Sequence, residues 1–218
     1  MQHGYDRAVA WLADHPLHGL TIHRVIDPPS DPLSPRFEAA IVATAPSTHA
    51  MYVHDLVRNH IPTFCEKPLT LDYLQATNLI ELARANSVPL GVNLELHYAS
   101  YLDQFVELVG DQATNQVNIT WLDPWTEQRY GETKHGDFYT SIVHDMWPHC
   151  WSLLRRLMHV PTQLQLRDVK YDPIDGVTMY VRSSEWTAQV RLCRRNDQRT
   201  RRIELNHGTS VLDFSQEP

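Results

Sequence analysis

The chain predicts an α/β half followed by an α+β half, the latter a mostly antiparallel open sheet backed by helices. Three observations carry that reading. The first is a short apolar run at 39–43, a helical stretch at 49–59, and a second apolar run ending in Phe64-Cys65-Glu66-Lys67-Pro68. Strand, helix and strand in that order form a βαβ unit, which brings both strand ends to one edge of a parallel sheet. The second is a helix-like segment in which Asp145 and His149 stand four residues apart, so that both lie on one face. The third is a series of alternating segments at 164–169, 177–181, 186–192 and 201–205, parted by Asp172-Pro173-Ile174-Asp175-Gly176 and Arg195-Asn196-Asp197. Alternation between turn signals reads as antiparallel strands.

Taken in order, the segment 8–13 reads as a helix and 21–27 as a strand ending in Asp27, an acid placed where a dinucleotide fold binds the adenosine ribose. A proline-rich link, 28–35, leads directly to the strand at 39–43. Thr70-Leu71-Asp72 opens a helix whose Leu74, Thr77, Leu79, Ile80 and Leu82 share an apolar face, and Asn86-Ser87 closes it. A short strand at 88–93, a helix at 100–109 and a strand through Val117, Ile119 and Trp121 follow. Among the eight glycines no Gly-x-Gly-x-x-Gly turn occurs, although such a turn lets backbone amides approach a pyrophosphate at a helix N-terminus.

The order Thr44-x-Pro46-x-x-His49, then Glu66-Lys67-Pro68, then Asp145-x-x-x-His149 resembles the Gfo/Idh/MocA family of nicotinamide-dependent sugar and polyol oxidoreductases. The resemblance implies a reduced, Rossmann-like domain at 1–94 that lacks the glycine-rich loop, followed by an α+β domain at 95–218. It implies a catalytic group of Lys67, Asp145 and His149, with His149 as general acid/base and Asp145 orienting it. Cofactor contacts are implied at Asp27, Thr44, Pro46, His49 and Glu66. An imidazole suits proton exchange because it titrates near neutrality, and a lysine charge polarises a reacting oxygen. Where relatives often carry an arginine and a proline after the last of these strands, this chain reads Leu94-Glu95-Leu96-His97-Tyr98.

Composition sets the remaining limits. With 218 residues, 42 % of them hydrophobic, the chain buries a sizeable core in one compact domain or two small ones. A net charge of −7 argues against nucleic acid as a general partner. Arg191, Arg194, Arg195, Arg199, Arg201 and Arg202 form a local basic cluster, read either as a solvated hairpin or as an anion site. No apolar run reaches the roughly 18 residues of a membrane span, no secretory leader is expected, and three widely spaced cysteines favour reduced thiols in the cytoplasm. His144, Asp145, His149 and Cys150 lie close in sequence but lack zinc-ligand spacing, so no metal is expected. Trp186, Val190 and Leu192 are candidates for a face through which the C-terminal sheet forms a homodimer.

Two functions stay open at this level. Amide contacts to a charged pyrophosphate are worth about 1.5–3 kcal/mol each, so losing several takes micromolar affinity to millimolar. On that ground the expectation is no tightly bound cofactor, and a degenerate family member that holds a small metabolite or peptide in the former substrate cleft as a binding or accessory protein. The alternative is an active NAD(P)-dependent oxidoreductase acting on a hydroxyl, carbonyl or imine carbon, its cofactor site completed by a partner or an unusual loop.

Overall fold

The computed structural model describes residues 9–10, 13–14, 37–110, 114–129, 131–136, 139–158, 164–173 and 175–216. The chain divides into two compact units, Met1–Asn93 and Leu94–Pro218. The expected strand at 21–27, its Asp27 and the proline-rich link lie outside the described residues.

In the first unit three parallel strands stand in the order β1, β2, β3: β1 spans Ala40–Val42, β2 Thr63–Glu66 and β3 Leu90–Asn93. Val42 pairs with Cys65, and Cys65 with Val92. Helix α1, Pro46–Arg58, connects β1 to β2, and helix α2, Tyr73–Ala85, connects β2 to β3. α1 begins three residues before the expected start because Pro46 can occupy its first turn, where a missing N–H costs nothing and φ is preset. α2 is capped by Asp72, whose carboxylate accepts the Gln75 N–H at 2.8 Å, a contact worth about 1 kcal/mol. The core comprises Val42, Val53, Val57, Cys65, Leu79, Ala83 and Val88. Leu74 and Ile80, expected on the buried face of α2, are exposed. The stripe that α2 buries runs through Leu79 and Ala83, narrower than the spread of apolar residues on its surface.

The second unit is built on a six-stranded sheet. Its strands are β4 Gln116–Pro124, β7 Gln165–Asp172, β8 Gly176–Arg182, β9 Thr187–Asn196, β10 Thr200–Leu205 and β11 Ser210–Asp213, in the order β11-β10-β4-β9-β8-β7. Between β4 and β7 lie a separate hairpin, β5 Thr126–Arg129 with β6 Glu132–His135, and helix α4, Ile142–Leu157; helix α3, Ser100–Val109, precedes β4. The β4–β9 pair is parallel and every other pair of this sheet antiparallel. That exception follows from geometry. β9 and β10 are joined by a tight turn and run in opposite directions, so a strand inserted between them must be parallel to one.

The core of this unit lies on one face of the sheet. Val117, Ile119 and Trp121 of β4, Val190 and Leu192 of β9, and Ile203 and Leu205 of β10 pack with Leu102 and Phe105 of α3 and with Met146, Cys150, Leu153 and Leu154 of α4. Trp186, Val190 and Leu192, expected on an outer apolar face, are therefore inside the unit, and the other face of β9 carries Gln189 and Arg191 instead. The basic cluster is also partly internal, since Arg194 and Arg201 are buried. Helix α4 runs without a break through Pro148. The proline has no N–H for the His144 carbonyl, and the Ser152 hydroxyl donates to the Pro148 carbonyl at 2.9 Å.

All three cysteines are buried and reduced. Burial, and after it the charge of Glu66, pushes the Cys65 thiol from its ordinary 9.0 up to about 12; burial raises Cys150 as well. Above pH 9 the unfolded chain releases these protons and the folded chain keeps them, so stability falls as pH rises from about 9 toward about 12. Urea midpoints measured at pH 8 and pH 10 are expected to show that fall, and a thiol reagent at pH 8 is expected to label the cysteines only after unfolding.

Candidate functional site

The carboxyl ends of the three parallel strands gather most of the residues singled out in the sequence. Thr44 lies just beyond β1, Pro46 opens α1, and Glu66 ends β2. Lys67 follows and is joined to Pro68 by a cis peptide bond. His49, one turn into α1, is fully buried. Its Nδ1 stands 2.7 Å from the Pro68 carbonyl and its Nε2 3.1 Å from the Thr44 carbonyl. One ring thus spans the loop after β1 and the loop after β2, and the segment that carries Lys67 is fixed to the start of α1.

The polar groups along this edge are ordered by one another. The Thr48 hydroxyl donates to the Ala45 carbonyl at 2.8 Å, so the Thr44 hydroxyl, 2.8 Å from Thr48 Oγ1, is the donor in their contact and keeps its own lone pairs for other donors. Glu66 accepts from Asn93 Nδ2 at 2.7 Å, a contact that crosses from the end of β2 to the end of β3. Hydroxyl, carboxylate and ammonium groups at the carboxyl edge of a parallel sheet are the donors and acceptors that suit ribose hydroxyls and a carboxamide. The residues present therefore fit the nicotinamide half of a dinucleotide. Asp27, expected at the adenosine half, is outside the described residues.

Asp145 and His149 belong to the second unit, on helix α4, where Ser141 caps the helix by accepting the His144 N–H at 3.2 Å. His149 is buried and lies flat on Trp121, with ring centroids 4.9 Å apart and planes within 5°. The Arg201 guanidinium also stands over the Trp121 ring, 3.8 Å from its centroid. Arg201 is ion-paired with Asp123 and donates to the Leu122 carbonyl at 2.9 Å. Burial lowers the Arg201 pKa from its ordinary value, and Asp123 opposes that shift. The His149 Nδ1 lies 3.4 Å from Glu95 Oε1, at ion-pair distance. Glu95 opens a short 3-10 turn, Glu95–Tyr98, that runs beside α4.

Sequence reasoning thus found the ring of His149 but not its surroundings. Glu95, Trp121 and Arg201 come to it from far-off parts of the chain, and no fixed spacing marks such partners. Only the alternation Val117, Ile119, Trp121 could have shown that Trp121 faces inward with the α4 core. Among the described residues no group of three or more His, Cys, Asp or Glu side chains is arranged to hold a metal ion.

Residues 21–94 match the family described as "Oxidoreductase family, NAD-binding Rossmann fold", GFO_IDH_MocA. Over 61 residues the chain is 38 % identical to the myo-inositol dehydrogenase Hyg17 of Streptomyces leeuwenhoekii, a stretch that is 28 % of this chain and 19 % of that protein. Among solved structures, the UDP-N-acetylglucosamine 3-dehydrogenase GnnA of Acidithiobacillus ferrooxidans aligns with a TM-score of 0.64 at 19 % identity, covering 82 % of this chain and 58 % of that one. GenD2 from gentamicin A biosynthesis, in complex with NAD, aligns with a TM-score of 0.65 at 18 % identity, covering 81 % and 54 %. Both structures share the fold, and the chain spans less than two thirds of their length. A parallel, Rossmann-like unit followed by a mostly antiparallel, helix-backed sheet is the fold that these structures share with the chain. Within the chain, residues 21–94 are similar to the Gfo/Idh/MocA oxidoreductase family.

This relationship corrects the expectation that no cofactor is tightly bound. The segment 21–94 matches an NAD-binding Rossmann fold even though no Gly-x-Gly-x-x-Gly turn is present, and the GenD2 structure that shares the fold holds NAD. The glycine turn was the wrong place to look for the cofactor in this chain. Recognisable sequence lies instead around the strand ends of the other half of such a domain.

A neutral imidazole donates from one nitrogen only, so replacing His49 by alanine costs one of the two carbonyls its hydrogen bond, at about 1–3 kcal/mol, and leaves the volume of a buried ring empty. His49→Ala is therefore expected to lower urea stability by about 2–4 kcal/mol. A change below about 0.5 kcal/mol would show that the two loops hold their positions without the ring.

Proposed function

We propose that the chain is a nicotinamide-dependent oxidoreductase, or the part of one that spans these two units, acting on a hydroxyl-bearing carbon of a sugar or polyol. The observation that carries this reading is the strand-end arrangement of Thr44, His49, Glu66 and Lys67 inside the segment that matches an NAD-binding fold. Support for the substrate class comes from the relatives, among them a myo-inositol dehydrogenase and a UDP-N-acetylglucosamine 3-dehydrogenase.

In this reading Thr44 and Glu66 would hold the nicotinamide half of the cofactor, with Asn93 keeping the Glu66 carboxylate in place. The bound cofactor supplies a hydride acceptor or donor. Lys67 places its positive charge at the reacting oxygen and lowers the cost of an alkoxide there. His149, in the second unit, carries a side chain able to take a hydroxyl proton and return it, and Asp145 shares its helix face. His49 keeps the Lys67 segment in position from beneath.

NADH and NADPH titrations followed by cofactor fluorescence test the reading directly. A dissociation constant below about 100 μM for one of them is expected. No saturation up to about 1 mM would overturn the proposal. Lys67→Met is expected to bind the cofactor within about threefold of the wild type while losing about 100-fold in kcat on a substrate that the wild type turns over, myo-inositol being the first to assay.

A further inference from the structure

The two edges of the six-stranded sheet are unequal. β11 ends it on one side with four residues, whereas β7 ends it on the other with eight, all but Val169 exposed. Among the described residues β7 pairs with β8 alone. A long edge strand presents a row of unpaired N–H and C=O groups, and natural sheets commonly shorten such an edge, as at β11, or blunt it with lone charges. We infer that β7 is an interface strand: it pairs antiparallel with β7 of a second copy of this chain, about a two-fold axis at Val169, and joins the two sheets edge to edge.

The backbone at Val169 is the first support. Its N–H donates to the neighbouring Asp168 carboxylate at 2.8 Å. A mid-strand donor answered by a side chain is one that the ladder with β8 leaves over, and it belongs to the free edge. In a two-fold antiparallel pair the residue at the axis meets its own copy, and where its N–H and C=O face outward the two copies exchange both backbone bonds. In the single chain the Asp168 carboxylate takes the place of that second carbonyl.

Charge selects the register. Residues directly opposite one another across a ladder lie on the same face of the sheet, so the axis falls at a residue and pairs those equally far on either side of it. With the axis at Val169, Asp168 meets Lys170 of the second copy and Lys170 meets its Asp168, and both ion pairs form together. Moving the axis one residue either way sets Asp168 or Lys170 against itself, and like charges directly opposite are destabilising. Both side chains are in place for this exchange. Lys170 Nζ lies 5.1 Å from the centroid of the Tyr180 ring and 4.0 Å from the Asp168 carboxylate, an exposed pair of little worth within one strand. Leu166 and Tyr171, 60 % and 81 % exposed, add apolar area along the same strand that an edge dimer partly removes from water.

The pairing is independent of the oxidoreductase reading and is tested on the full chain without cofactor or substrate. Sedimentation velocity is expected to show the wild type passing from monomer to dimer between about 10 and 200 μM. Asp168→Lys and Lys170→Asp each set like charges opposite one another on both sides of the axis, and each is expected to weaken the dimer at least about tenfold. The double variant, which exchanges the two charges, is expected to return to within about threefold of the wild type. A monomeric wild type, a dimer indifferent to the single changes, or a double variant no better than the single ones would overturn the inference. Should a variant fail to fold by circular dichroism, hydrogen exchange of the wild type decides the matter alone: the amides of Val169 and Tyr171 are expected to exchange more slowly at high than at low protein concentration, while those of β11 do not change. Exchange in β7 that is indifferent to concentration overturns the inference equally.

Discussion

A single buried imidazole, that of His49, governs the edge of the parallel sheet on which the candidate chemistry is arranged. A sheet of parallel strands delivers its loops to one end whatever their sequence, but nothing in strand pairing dictates how those loops sit relative to each other. The two carbonyls of Thr44 and Pro68 face one ring from two different loops. An unpaired buried acceptor is costly, so the fold commits a polar ring to the gap between these two loops and thereby sets the path of the chain through Lys67. The first turn of α1 thus does two things: it starts a helix, with Pro46 at its head, and it locks the neighbouring loop.

The second unit solves a similar problem with a longer element. Helix α4 covers the inner face of the mixed sheet with Met146, Cys150, Leu153 and Leu154, and from the same helix His149 turns toward Trp121 and Glu95 while Arg156 grips the 3-10 turn. Packing and polar chemistry are not separate regions here. The residues that make the helix bury are interleaved with those that present its functional side chains, which leaves little freedom to alter one set without the other.

Much of this was legible from the residues. Local signals named α2 through its Asp72 cap, α3 at both ends, and the β7–β8 hairpin and the break between β9 and β10 through their turns, because caps and turns act over a few residues. Thr44, His49, Glu66, Lys67, Asp145 and His149 were visible as motif positions. What the sequence could not convey was anything set by distant contact. Alternation marks Val190 and Leu192 as sharing a face but does not say whether that face meets helices or water, and the helices decided it. The parallel β4–β9 pair, the burial of Arg194 and Arg201 inside a run of arginines, and the approach of Glu95 to His149 all depend on parts of the chain that have no fixed spacing. The cofactor expectation failed for a related reason: it weighed one missing turn, whereas the likeness to dinucleotide-binding domains resides in the segment 21–94 as a whole.

The placement of β4 has a consequence for how the molecule is made. β9 and β10 follow one another through a short turn, yet their ladders are both completed by β4, which leaves the ribosome long before either of them. The usual quick step of a hairpin, zipping from its turn, is therefore closed to this pair. Both must wait until an early-synthesised strand is brought between them, a contact of large sequence separation with the loop-closure entropy that implies. Until that insertion occurs, the centre of the sheet exists as two open edges with apolar inner faces, and it is in that interval, rather than in the finished molecule, that the chain is most exposed to pairing with its neighbours.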